Sequence, residues 1–184
     1  MFVAPVQNWF RIPMMLMTML IAVPTGVKIF SWLGTMWKGQ IHMRTPMYWA
    51  FGFIAMFVLG GISGVMTAVV PFDIAVSDTY FIVAHFHYVL FGGSIFTIFA
   101  GIYHWFPKMT GRMYNETLGK WHFWLVFISF NMTFGPQHLV GLEGMPRRVA
   151  DYAEEFFVWN AIISVSAFVL GASMLIFLYN MIWS

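Results

Sequence analysis

Long apolar stretches alternate with short polar ones along the chain. The apolar stretches run over residues 8–36, 45–67, 80–107, 117–140 and 156–183. A helix needs about 20 largely apolar residues to cross a bilayer, and each of the five is that long. The polar punctuation is sharp: Lys38-Gly39-Gln40, Pro71-Phe72-Asp73, Lys108-Met109-Thr110-Gly111-Arg112, and residues 143–155 with Glu143, Asp151, Glu154 and Glu155. No internal repeat, low-complexity run or linker breaks the series. The pattern predicts an all-α, multi-pass transmembrane bundle of about five spans in a single domain, residues 1–184.

Composition narrows the class. The chain is 60% apolar and 9% charged, where an ordinary soluble domain is about 45–50% apolar and about 25% charged. It lacks the polar surface to cover a water-soluble globule, which excludes a soluble enzyme, a nucleic-acid binder and a disordered tail. With no cysteine there is no disulfide, thiolate metal site or cysteine nucleophile. A net charge of +2 implies no anionic partner. Met1-Phe2-Val3-Ala4-Pro5 lacks the basic start of a signal peptide and leads through Gln7 and Asn8 into the first span, an opening expected of a piece of a longer chain. Lys38, Arg44, Lys108, Arg112 and Lys120 fall on one side of the bundle, against Arg11, Arg147 and Arg148 on the other. The positive-inside rule places the first group on the cytoplasmic or matrix side.

Ionisable residues inside apolar spans are costly and are the first candidates for function. His85 and His87 lie early in the third span, roughly 7–11 Å from its outer end at about 1.5 Å per residue. Residues two apart on a helix point about 200° apart, so the pair cannot easily share one metal. Each can face a different cofactor, and imidazole is a standard axial ligand of haem iron. The plainer alternative is two histidines hydrogen-bonded to neighbouring helices. Lys28 lies in the first span within an arc of about 100° that also holds Thr18, Thr25 and Thr35. That stripe suits a proton or ion path, or else a lysine that snorkels to the inner headgroups beside threonines bonded to their own helix. Arg147-Arg148 is either neutralised by the acids around it or a fixed anion site near the membrane. His42, His104, His122 and His138 suggest no chemistry from position alone.

Four motifs give the sequence a family likeness. They are Pro24-Thr25-Gly26-Val27-Lys28-Ile29-Phe30-Ser31-Trp32, Asp78-Thr79-Tyr80-Phe81-Ile82-Val83-Ala84-His85-Phe86-His87-Tyr88-Val89-Leu90, Asn131-Met132-Thr133-Phe134 with Pro136-Gln137-His138, and Gly144-Met145-Pro146-Arg147-Arg148. In this order they resemble subunit I of the haem–copper oxidases, and His-Phe-His-Tyr with Gly-Met-Pro-Arg-Arg resembles its cytochrome c oxidase branch. The resemblance implies the C-terminal portion, about five of twelve spans, of the catalytic subunit of a proton-pumping respiratory oxidase that reduces O2 to water with electrons from cytochrome c. It implies two haems of A type, with His85 on the high-spin iron and His87 on the low-spin iron. Arg147 and Arg148, with Asp73 nearby, would lie at the haem propionates. Lys28 and Thr25 would line a proton path, and Asp78 would be a magnesium ligand, although Ser77 stands where many members have His. The copper ligands, the second axial ligand of the low-spin haem and the carboxylate proton channel of the family lie upstream of the matching region. The chain alone is therefore expected to be inactive, and to come from an internal start, a split gene or a truncated gene model. The implied partners are the rest of subunit I, oxidase subunits II and III, cytochrome c and membrane lipid, with no nucleic acid. The implied location is the bacterial plasma membrane or the mitochondrial inner membrane. A quinol oxidase of the same fold and an inactive, haem-free membrane fragment are the alternatives.

Overall fold

The computed structural model describes residue 3 and residues 7–184. Among these the regular structure is helical, with one isolated antiparallel bridge between Thr79 and Pro146. In chain order the elements are α1 (Asn8–Met36), α2 (Thr45–Ala68), α3 (Val70–Val76), α4 (Tyr80–Leu90), a π-helical turn (Phe91–Ile95), α5 (Phe96–Thr110), α6 (Glu116–Leu142), a 3-10 turn (Glu154–Phe156) and α7 (Phe157–Trp183). α4, the π turn and α5 run on as one rod over Tyr80–Thr110.

The helices begin where the chain supplies an acceptor for their first N–H groups. The Thr79 hydroxyl accepts from the Phe81 amide at 3.2 Å and starts α4. The Asn115 side chain accepts from Thr117 and Leu118 at 2.9 and 3.2 Å and starts α6. α2 is capped from outside: Glu116 accepts from the Thr45 amide at 2.6 Å, placing a carboxylate at a helix N-terminus, where the dipole favours it. Beside it, in the connection before α6, Tyr114 is pushed up to about 12, first by burial and then by the Glu116 carboxylate.

One expectation needs correcting. Residues 70–76 are not simple punctuation but a short helix, because Pro71 sits in its first turn, where the missing N–H costs nothing. Four helices among the described residues are long and apolar enough to cross a membrane: Trp9–Met36, Thr45–Ala68, Tyr80–Thr110 and Glu154–Trp183. The stretch expected at 117–140 forms α6, and its 27 residues reach about 40 Å, so length is not what it lacks. Its apolarity is diluted by His122, Ser129, Thr133 and Gln137, all buried within the bundle. The chain is an integral membrane protein whose α6 spends polar residues on its neighbours instead of on lipid.

The core is aromatic. Trp49 of α2 is fully buried and meets Phe96 and Phe99 of α5 and His122 and Phe123 of α6 with ring centroids 4.8–5.3 Å apart. A second cluster of Val140, Met145 and Phe156 closes the outer end. There the Tyr80 amide donates to the Met145 carbonyl at 3.1 Å, tying the start of α4 to the loop after α6. The approach depends on Gly141, where a Cβ would lie 2.0 Å from the Phe81 backbone nitrogen. α1 stands apart: it packs on α2 and α3, and none of its most apolar stretch is buried.

Candidate functional site

α4 carries both candidate histidines, and its two flanks face different helices. On one flank, the Nδ1 atom of His85 lies 2.9 Å from the Ser63 hydroxyl and 3.1 Å from the Gly60 carbonyl, both on α2. The ring can lie this close because Gly64 has no side chain; a Cβ there would sit 3.0 Å from the His85 Cε1. With Nδ1 held by α2, Nε2 is the nitrogen left for the cavity side. That cavity is about 690 Å³, lies between α1, α2, α3 and α4, and has His85, Asp73, Thr18, Thr25, Gly61 and Val89 in its lining.

On the other flank His87 turns toward α6. Its ring stacks on Phe134 with centroids 4.1 Å apart and planes 14° from parallel. Its Nδ1 pairs with the Val83 carbonyl of its own helix at 2.8 Å. The rotation of α4 is fixed one residue later, where the Tyr88 hydroxyl donates to Asn131 of α6 at 2.8 Å. Asn131 in turn donates to the Phe127 carbonyl at 2.7 Å.

The polar stripe of α1 divides. Thr18 and Thr25 line the cavity, while Lys28 lies outside its lining and is exposed. The hydroxyls of Thr18, Thr25 and Thr35 donate to the carbonyls of Met14, Ile21 and Ser31 at 2.7, 3.0 and 2.8 Å. They are engaged within their own helix, four residues back. Asp73, buried in α3, lines the cavity alongside His85.

At the outer end, Arg147 finds its acid far away in sequence. Its guanidinium contacts Asp78 at 3.1 Å, and its amide donates to the Asp78 carbonyl at 2.9 Å. Asp78 is 81% exposed and Arg147 23% exposed. Arg147 keeps a buried Nε without a partner among the described residues. Arg148 is exposed, with φ of 64°. No group of three or more His, Asp or Glu side chains gathers as a metal site among the described residues.

The residues that sequence reasoning passed over are those that hold the histidines: Gly60, Ser63 and Gly64, Tyr88 with Asn131, and Phe134. A signal existed for the first set, since three small residues at spacing i, i+3, i+4 form one helix face on which another helix can pack closely. His122 shares a 3.0 Å hydrogen bond with the Tyr103 hydroxyl in the aromatic core, and His138 packs against Phe81 and Tyr88.

Comparison with known proteins adds context to this geometry. Residues 1–169 match the family described as cytochrome c and quinol oxidase polypeptide I. Cytochrome c oxidase subunit 1 of Synechocystis sp. is 57% identical over 184 residues, covering 100% of this chain and 33% of the relative. The subunit 1 of Corynebacterium diphtheriae is 57% identical over 166 residues, covering 89% of this chain and 29% of the relative. The chain thus spans about a third of the length of the curated relatives it matches. Among solved structures, a haem–copper terminal oxidase determined as a dimer by cryo-electron microscopy superposes with a TM-score of 0.84 at 18% identity. The match covers 98% of this chain and 38% of that one, and it shows a shared fold.

Proposed function

This chain belongs to the cytochrome c and quinol oxidase polypeptide I family, and from that premise we propose that it forms the C-terminal portion of the catalytic subunit of a proton-pumping terminal oxidase. The whole enzyme reduces O2 to water with electrons from cytochrome c. The relatives named above, at 57% identity, are called cytochrome c oxidase subunit 1, which favours that donor over a quinol. The observation that carries the reading is the placement of two histidines on one rigid helix, with Nδ1 of each engaged and their rings turned toward different helices.

The residues present fit two haems. His85 offers Nε2 toward a cavity of about 690 Å³, and Gly61 leaves open space on its α2 wall, where a Cβ would meet nothing within 4 Å. His87 offers its Nε2 beside Phe134. When bound, the haems and a copper centre held by the rest of the subunit supply electron transfer and oxygen reduction. This chain's part is to orient. The Nδ1 contacts hold each imidazole in place, and α4 fixes the separation of the two rings so that no large motion is needed between them. Arg147 and Arg148 hold propionates at the outer end, with Asp73 nearby. Lys28 Nζ receives protons on the inner side, one turn along α1 from Thr25, which lines the cavity. Asp78, exposed beside Arg147 at the outer end, would supply this chain's ligand to a magnesium ion at the interface with subunit II.

The exposed apolar face of α1 fits coverage by the remaining spans of the same subunit. The complete complex further includes subunits II and III and lies in lipid, in a bacterial plasma membrane or a mitochondrial inner membrane. The haems are of A type. The test is a pair of variants in the intact complex. His85→Ala loses the high-spin haem signal and keeps the low-spin one, and His87→Ala does the reverse. Identical spectra from the two variants overturn the assignment.

A further inference from the structure

We propose that Ser63 is a positioning residue that fixes the tautomer of His85 and so the lone pair presented to the cavity. The inference rests on His85 being an iron ligand. Three polar atoms form a closed triangle in the interface between α2 and α4. The Ser63 hydroxyl lies 2.9 Å from the Gly60 carbonyl and 2.9 Å from the His85 Nδ1, and that Nδ1 lies 3.1 Å from the same carbonyl. Ser63 is buried, so its single proton must be spent inside the triangle. The Gly60 carbonyl can only accept. If Ser63 gave its proton to Nδ1, that nitrogen would turn a lone pair on the carbonyl oxygen 3.1 Å away. The consistent arrangement has Ser63 donating to Gly60 and Nδ1–H donating to both oxygens. His85 is then the Nδ1–H tautomer, and Nε2 carries the lone pair.

The sequence builds this triangle on one face of α2. Gly60 frees the backbone for close approach by α4, since a Cβ there would meet the Val89 backbone at 3.0 Å. Gly64 admits the imidazole. Ser63, between them in the same arc, contributes a side-chain acceptor that no backbone atom replaces. Among the described residues the His87 Nδ1 meets no side chain of another helix and is held by the Val83 carbonyl of α4 itself. Two acceptors on Nδ1 make Nε2 a stronger electron donor than one does, because a metal-bound imidazole gains basicity from the partners of its other nitrogen. Ser63 therefore acts on one histidine of the pair and not on the other.

The test uses the complete oxidase complex with Ser63→Ala, Ser63→Cys and Ser63→Thr. The readout is the iron–histidine stretching band of the reduced high-spin haem in resonance Raman spectra, with the rate of haem loss on dilution into detergent. Ser63→Ala moves the band to lower frequency and speeds loss of the high-spin haem by about tenfold, the low end of what an outer partner of a metal ligand contributes. The low-spin haem bands stay where they are. Ser63→Thr keeps the hydroxyl and restores the band, a rescue that a purely structural role would not give. Ser63→Cys, with a weaker sulfur acceptor, gives a smaller shift and serves where Ser63→Ala does not assemble. An unshifted band in Ser63→Ala, or in Ser63→Cys where it replaces it, overturns the proposal, as does an equal shift in Ser63→Thr. His85→Ala keeps the two failures apart. If that variant retains the iron–histidine band, the ligand assignment itself falls. If it loses the band while Ser63 variants leave it unmoved, only the role of Ser63 falls.

Discussion

Replacing Gly141 by alanine puts a methyl carbon 2.0 Å from the backbone nitrogen of Phe81, 2.7 Å from its Cα and 2.8 Å from its Cβ. Two of these three atoms are backbone, so no side-chain rotation relieves the clash. Restoring ordinary contact near 3.4 Å requires α4 and α6 to part by about 1.4 Å at the outer end. His85 lies four residues along α4 from Phe81, one turn away. A shift of that size carried one turn drives α4 toward α2, where the His85 ring is already 2.9 Å from Ser63 and has no slack, so the imidazole must leave its place. Overpacking of this kind costs about 3 kcal/mol or more where backbone must move. Gly171 in α7 provides the control, because an added Cβ there meets nothing within 4 Å among the described residues. Gly171→Ala is expected to be neutral or to stabilise by about 0.5–1 kcal/mol through helix propensity. The assay is thermal melting of the purified complex together with its high-spin haem spectrum. Gly141→Ala lowers the melting temperature and perturbs the high-spin signal, and Gly171→Ala does neither. A Gly141→Ala complex with wild-type melting and spectrum refutes the claim that this contact sets the position of α4.

Other outcomes follow from the same contacts. Tyr88→Phe leaves the Asn131 carbonyl oxygen half-buried without its 2.8 Å donor and costs about 1–3 kcal/mol, read as a lower melting temperature of the complex. The cost falls if Asn131 is changed to Leu in the same variant, and an equal cost in both would mean the pair is not coupled. Lys28→Met in the intact enzyme slows turnover by about 100-fold while both haem spectra persist, because a lost proton carrier affects the reaction and not cofactor binding. Turnover at the wild-type rate removes Lys28 from the path.

Much of the fold was legible because lipid imposes a simple rule. The polar gap at 38–44 and the Pro46 that follows mark the end of α1 and the start of α2 to within a residue or two. α6 was legible in place and length, but hydropathy cannot say whether His122 or Thr133 faces a neighbour or lipid. α3 was hidden by a proline that starts a helix as readily as it ends one. The opposite headings of His85 and His87 follow from helix geometry, two residues being about 200° of rotation. What holds them there does not, because Ser63 is one small polar residue in an apolar run, and its partner lies 22 residues away. The pairing of Arg147 with Asp78 is harder still: 69 residues separate them, and nearer acids offered a simpler local answer. The arc joining Thr25 to Lys28 was legible, yet about 60° of rotation divides cavity lining from exposed surface, and only packing against α2 shows where that division falls.

The most direct measurement is a structure of the complete oxidase assembly with its metals, read for the distance from each α4 imidazole to the nearest iron. Nε2 of His85 and Nε2 of His87 should each lie at bonding distance from a different iron, with the Nδ1 of His85 still against Ser63 and Gly60. Either nitrogen directed into lipid, or both on the same metal, would contradict the reading of α4 as the helix that holds two haems.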